Sequence, residues 1–314
     1  MQNKYLYRVF RLRRLLVTCL VIMFSGWLAG ELLFGRADLL SNIIARTGVA
    51  AACLAITTGL VVVYPRVWWE TVCAALVLGL LLMFLSPLET LPEYMSSDDG
   101  VMAMLWTLFI VIFGAIFLWL GLYLTMFVLF AIPSQFMRDK SRVSVPLSAD
   151  ETFEILRMKP DSDDGFSATG LADADGFFTT SFEINTFDPG TYLPATEVMT
   201  VRTRIVEEGE CFQLIMSGCE IDGDIRYELQ ELNVEQKKGR SVCTTVTQKN
   251  ESNLFESIGF WIQDFGSDHL LSHLMTAQGE NSACIRDMPY RSPMYDLARY
   301  FENRKGDSGS HNPG

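Results

Sequence analysis

Residues 143–155 read VSVPLSADETFEI, and the parsing of this stretch decides the fold of all that follows. Ser144–Leu147 carries a short strand signal. Ser148-Ala-Asp-Glu151 then fits a capping box, with Ser148 as N-cap and Glu151 three residues on. Phe153, Ile155 and Leu156 give a short helix an apolar side as far as about Arg157. Lys159-Pro160 stops it, and Asp161-Ser-Asp-Asp-Gly165 turns the chain.

Beyond this point the period changes to two, with each run bounded by turn residues. Phe166–Leu171 is weak. Phe177–Ile184 places Phe178, Thr180, Phe182 and Ile184 on one face. Glu197–Val206 sets Met199, Val201, Thr203 and Ile205 against Arg202 and Arg204. Cys211–Ser217 follows. Asp222-Gly223 turns into Asp224–Val234, where Ile225, Tyr227 and Leu229 oppose Arg226, Glu228 and Gln230. Lys237-Lys238-Gly239-Arg240 turns into Ser241–Gln248. The last large element runs from Asn253 to about Gln278, with Asn250, Ser252 or Asn253 as its cap. Leu254, Ile258, Trp261 and Phe265 form its stripe, and a bend is expected at Gly266. An antiparallel sheet must bury one face, and the final helix is its only large apolar partner, so a curved antiparallel sheet gripping a long C-terminal helix is expected.

Upstream the composition is different. Residues 1–142 hold 11 Lys/Arg and 8 Asp/Glu; residues 143–314 hold 14 and 29, a net charge of −15. The acidic half excludes a nucleic-acid binder, which must meet phosphates with cations. Four apolar runs, Leu15–Phe34, Thr47–Tyr64, Trp69–Leu85 and Val101–Ile132, predict four transmembrane helices in residues 1–142, ahead of an α+β domain over 143–280 and a tail over 281–314. The first run is too long for a signal-peptide core. Lys4, Arg8, Arg11, Arg13, Arg14, Arg66, Arg138, Lys140 and Arg142 outweigh Arg36 and Arg46, and Glu89, Glu93, Asp98 and Asp99 lie in the Ser86–Gly100 loop. This bias predicts a multi-pass inner-membrane protein with both termini cytoplasmic. No charged residue lies mid-span, which argues against a transport path. Gly26 and Gly30 form a small-xxx-small pair suited to helix packing. The seven cysteines show no C-x-x-C spacing and read as reduced, buried residues.

The opening phrase at 143–155, the hairpin series and the terminal helix resemble the helix-grip fold of the START-related superfamily (SRPBCC), which includes polyketide cyclases. The resemblance covers about residues 143–279. It implies a cavity between sheet and long helix. Its lining would be Phe178, Phe182, Met199, Val201, Leu214, Met216, Tyr227, Leu229, Trp261 and Phe265, with Tyr227 as the polar handle. No catalytic motif or cofactor-binding motif is present. His269 and His273, with Asp264 and Asp268 nearby, have helical i, i+4 spacing but lack a third metal ligand. The acidic turns at 161–165 and 173–176 lack the calcium-loop pattern, and the Asn250 sequon is discounted because it is expected to face the cytoplasm. The expected function is membrane-anchored binding of a hydrophobic small molecule or lipid, without metal or cofactor. The alternatives are an enzyme of the cyclase or aromatase kind, or a scaffold that recruits a protein partner.

Overall fold

The computed structural model describes residues 4–33, 43–83, 98–134, 137–187, 194–221, 224–249, 252–280, 284–288, 290–293, 296 and 299–300. The Arg36 side of the first loop, most of Ser86–Gly100, the Asp222-Gly223 turn, the Asn250 sequon, most of the Met294–Glu302 segment and the Gly306–Gly314 tail lie outside the described residues. The chain forms two compact units. A split unit joins Met1–Arg11 to Phe130–Gly314, and a helical unit comprises Leu12–Leu129.

The helical unit contains α2 (Arg13–Leu33), α3 (Ile43–Val63), α4 (Trp68–Met83) and α5 (Asp98–Ala131), the last ending just ahead of Pro133. Among the described residues one helix, through Arg13–Gly30 of α2, is both long and apolar enough to cross a membrane. Thr47–Val63, Trp68–Met83 and the described apolar stretch Leu120–Ala131 are shorter. The expected fold class of four transmembrane helices is therefore corrected. For α3 and α4 the physical reason is length: Arg46 cuts the apolar part of α3, and the 16 residues of α4 reach about 24 Å at 1.5 Å per residue, short of ~30 Å of hydrocarbon. Within this unit α2 packs on α4 at backbone contact. A Cβ at Gly26 would strike the Gly79 carbonyl, and one at Gly30 the Met83 carbonyl. Thr57 of α3 donates to Met23 Sδ of α2 at 3.1 Å.

The split unit begins with α1 (Lys4–Arg11) and resumes with β1 (Pro133–Ser134), β2 (Met137–Val145) and α6 (Ala149–Leu156). It continues through β3 (Ala168–Thr169), β4 (Phe177–Phe187), β5 (Pro194–Gly209), β6 (Phe212–Ile221), β7 (Asp224–Lys237) and β8 (Arg240–Lys249). It ends with β9 (Ser252–Asn253), α7 (Leu254–Gln263), α8 (Phe265–Ala277) and a 3-10 turn at Ile285–Asp287. Seven strands form one antiparallel sheet in the order β2-β8-β7-β6-β5-β4-β3, and β1 pairs with β9. The α+β half is thus a meander whose first strand is paired with its last, and the unit is wider than residues 143–280.

Local chemistry sets these elements. Ser148 caps α6 by accepting from the Glu151 N–H at 3.2 Å, and Asn253 caps α7 through the Glu256 N–H at 2.7 Å. Such a cap stabilises a helix by about 1 kcal/mol. The β7–β8 hairpin turns on Lys238 and Gly239 at φ 50° and 76°, the pair of left-handed residues that matches strand twist. The core lies on one side of the sheet: Val143, Val145, Leu232, Val234 and Cys243 meet Phe153 and Leu156 of α6 and Leu270 and Leu274 of α8. Burying side chains of this kind contributes about 1.5–3 kcal/mol each. One long final helix was expected. It breaks instead at Asp264, which takes a left-handed conformation (φ 52°, ψ 41°) two residues before Gly266.

Candidate functional site

The cross-strand register divides the expected cavity lining between two faces. Phe178 stands opposite Thr203, Thr180 opposite Val201, and Phe182 opposite Met199. Thr203 in turn pairs with Ser217, and Ile205 with Ile215. Phe178, Phe182, Met199 and Val201 therefore share the helix-facing side. Met216 stands opposite Arg204 and Leu229, Leu214 opposite Glu207 and Glu231, and Tyr227 opposite Gly218. Leu214, Met216, Tyr227 and Leu229 lie on the far side, so they are not neighbours of the first four. The cause is a phase conflict within β7. Tyr227 and Leu229 are odd-numbered, whereas Leu232 and Val234 are even-numbered. A strand without a bulge can turn only one set inward. Leu232 and Val234, 6% and 3% exposed, take the core.

Trp261 and Phe265 also leave the expected lining, at 54% and 38% exposed. Their stripe assumed a continuous helix. The turn at Asp264 resets the phase, so Ile262 of α7 and Leu270 and Leu274 of α8 are the buried apolar residues.

The helix-facing surface has a filled part and a partly open part. In the filled part, Thr180 donates to Thr203 at 3.0 Å, and Thr203 and Ser217 exchange a hydrogen bond at 3.3 Å. Gln213, 2% exposed, clamps Met158 from both sides, accepting its N–H at 2.8 Å and donating to its carbonyl at 2.8 Å. That clamp ties the segment after α6 across the sheet. Further along β4 and β5, Phe182, Ile184, Met199 and Val201 stay only partly buried on this same face.

At the rim, the acidic turn of residues 161–165 meets α8. His273 Nε2 lies 2.9 Å from Asp164 Oδ2. Phe166 stacks on the His273 ring at 4.3 Å and meets His269 edge-on at 5.0 Å. Partial burial works to raise the Asp164 carboxyl. His273 and the N–H groups of Ser167 and Phe166 outweigh it and hold the group at about 2, below an ordinary 3.8. A depressed folded value means the contact stabilises above about 3.8 and is lost as pH falls through about 2. The Asp164 carboxyl carbon, followed by NMR, should titrate near 2. A midpoint near 3.8 would mean that the contact does not form in solution. Among the described residues no three or more His, Cys, Asp and Glu side chains gather to hold a metal.

The sequence reading missed a buried polar knot. Arg11 of α1 pairs with Asp264 at 3.3 Å, both side chains about 10% exposed (11% and 10%). Arg11 Nε donates to the Tyr7 hydroxyl at 3.1 Å, and that hydroxyl donates to Asp268 Oδ1 at 2.7 Å. Ser267 donates to Asp264 Oδ1 at 3.0 Å, and Cys284 Sγ lies 3.4 Å from the Tyr7 oxygen. Burial, with Asp268 and Cys284, pushes the Tyr7 phenol far above its usual range, so it remains a neutral donor. Burial works to lower the Arg11 guanidinium, but Tyr7, Asp264 and Asp268 more than offset this and keep it charged. In the sequence the basic start of the chain bears on targeting and orientation. The i, i+4 spacing of Tyr7 and Arg11, matched by that of Asp264 and Asp268, was the available signal. No protein-family model matches the chain, and no curated protein matches its sequence.

Proposed function

We propose that the split unit binds a hydrophobic or lipid ligand on the helix-facing side of its sheet, beside a membrane reached by α2. The observation that carries this reading is the partly uncovered apolar stretch Phe182, Ile184, Met199 and Val201, on the same face as the filled core. Apolar side chains flanked by a few fixed hydroxyls make a surface that suits a ligand with an apolar body and a small polar group. Thr180, Thr203 and Ser217, bonded to one another, close the filled end of that surface, and Ser217 is the least buried of the three.

Tyr7 and Arg11 bond to Asp268 and Asp264, which fastens the start of the chain to the C-terminal helices within the split unit. Lys4, Arg8, Arg11, Arg138, Lys140 and Arg142 all belong to this unit, and that cationic bias next to α2 supports a cytoplasmic location for it.

Native mass spectrometry of the full chain released from its membranes, with lipid extraction, tests the reading. One apolar molecule per chain is expected, lost in Val201→Asp with secondary structure retained. A wild-type chain that carries none would overturn it. A second reading, an enzyme of the cyclase or aromatase kind, is favoured by the Asp164–His273 contact, because a carboxylate that orients a histidine is the usual support for a general base. In that case His273→Gln would abolish turnover of the extracted molecule and leave its occupancy unchanged.

A further inference from the structure

The docked N-terminal helix has a second side. Tyr7 and Arg11 turn into the polar knot, whereas Tyr5, Leu6 and Phe10 are 53%, 68% and 62% exposed. The same region contributes two more such side chains. Phe265 follows Asp264 directly, and the Trp261 carbonyl accepts the Asp264 N–H at 3.4 Å. Trp261 and Phe265 are themselves exposed, so α1 and the turn at Asp264, joined by the Arg11–Asp264 pair, carry five large exposed apolar side chains.

Charge identifies what they face. Lys4, Arg8, Arg11, Arg13 and Arg14 crowd this end of the chain, and no acidic residue precedes Glu31. The remainder of the split unit is strongly acidic. The Arg8 guanidinium lies 5.5 Å from the Tyr5 ring centroid. Aromatic and aliphatic side chains next to cations are the composition of a helix lying in the plane of a bilayer, where each cation near an anionic surface adds about 1 kcal/mol. Two residues after α1, the chain enters the span-length apolar helix α2.

We propose that Tyr5, Leu6 and Phe10 of α1, with Trp261 and Phe265 of the C-terminal helix pair, form a surface that sits in the headgroup layer of an anionic bilayer. The inference rests on the reading of α2 as a membrane anchor. It gives exposed Trp261 the role of an interfacial residue, and it sets the ligand-binding unit against the lipid rather than leaving it hanging from a tether. The polar knot makes the contact two-sided, since α1 is held by the domain on one side and by lipid on the other.

The test uses the full chain labelled with 5-fluorotryptophan, in nanodiscs of mixed phosphatidylcholine and phosphatidylglycerol. Of the six tryptophan signals, the one lost in Trp261→Phe is assigned to Trp261. A spin label carried on lipid headgroups should broaden that signal several-fold, and a water-soluble gadolinium chelate should leave it sharp. The lipid effect should weaken in discs of phosphatidylcholine alone. Broadening by the chelate would overturn the proposal, and equal lipid broadening in both disc types would remove its anionic lipid. Protection from both agents would mean that protein covers the face, a second copy included, and would also overturn it. A chain that does not enter the discs would sink the anchor reading itself, whereas a chain that enters them with Trp261 facing water fails only the surface.

Discussion

Arg11→Ala is expected to destabilise the split unit by about 3–5 kcal/mol, the usual cost of removing one partner from a buried ion pair. Asp264 is nearly buried and also accepts from the Ser267 hydroxyl. Without Arg11 a carboxylate is left in a poorly solvated place, and Asp268 loses the nearest cation that shares its Tyr7 donor. Alanine also leaves the Tyr7 oxygen without the Nε–H that it accepts. The loss should fall where the charge is buried, at the junction of α7 and α8. Hydrogen exchange of α8 amides in the full-length chain should therefore speed up by orders of magnitude, with β5 and β6 affected less. The companion Arg11→Ala/Asp264→Asn should recover a good part, because it neutralises the orphaned carboxylate. Arg11→Lys should recover less than its charge suggests, since one ammonium does not reproduce the two directions in which the guanidinium donates. Unchanged α8 protection in Arg11→Ala would mean that the knot is not formed in solution.

Gly26→Val should disrupt the helical unit as severely. A Cβ at Gly26 meets the Gly79 carbonyl oxygen, carbon and Cα, all backbone, so no side chain can rotate out of the way. The helices α2 and α4 must separate or slide. Overpacking of this kind costs typically 1–3 kcal/mol where neighbours can adjust, and more where they cannot. Separation would also forfeit the packing on which small-residue helix pairs depend. The measurement is the thermal midpoint of the detergent-solubilised chain, with Gly59→Val as control. Gly59 has open space where its Cβ would stand. Equal midpoints for the two variants would show that α2 and α4 are not in backbone contact.

The elements written locally were the readable ones. Ser148 announces the start of α6 by its own side chain. Lys238-Gly239 can occupy a left-handed turn, and Gly26 and Gly30 announce a helix contact before the partner helix is known. Whatever depended on comparing distant segments was hidden. In β7, two incompatible alternations occur in one strand, and only the company of Val143, Cys243 and Leu274 decides that Leu232 and Val234 go inward. The stripe through Trp261 and Phe265 assumed a continuous helix, and the residue at which it breaks, Asp264, pairs with an arginine 253 residues earlier. The second and third apolar runs lie near the ~20 residues of a span in the sequence, whereas their apolar helices, Thr47–Val63 and Trp68–Met83, fall short of it. Four of the ten expected lining residues, Leu214, Met216, Tyr227 and Leu229, lie on the other side of the sheet for the first of these reasons. The Asp164–His273 contact joins two segments that had been judged separately.

The polar knot also imposes an order of events during synthesis. Tyr7 and Arg11 leave the ribosome some 250 residues before Asp268 and Asp264, which lie 261 and 253 positions further on. For most of translation, a cationic, aromatic segment waits without the carboxylates that will hold it, while the whole of Leu12–Leu129 is made and packed. Closing so long a loop adds little entropy beyond that of a moderate one, so the obstacle is one of time. An anionic surface or a chaperone can occupy the segment first. The split unit is therefore completed only after its last helix has emerged. A tag or fusion placed ahead of Tyr7 would be felt first at α8, on the far end of the chain.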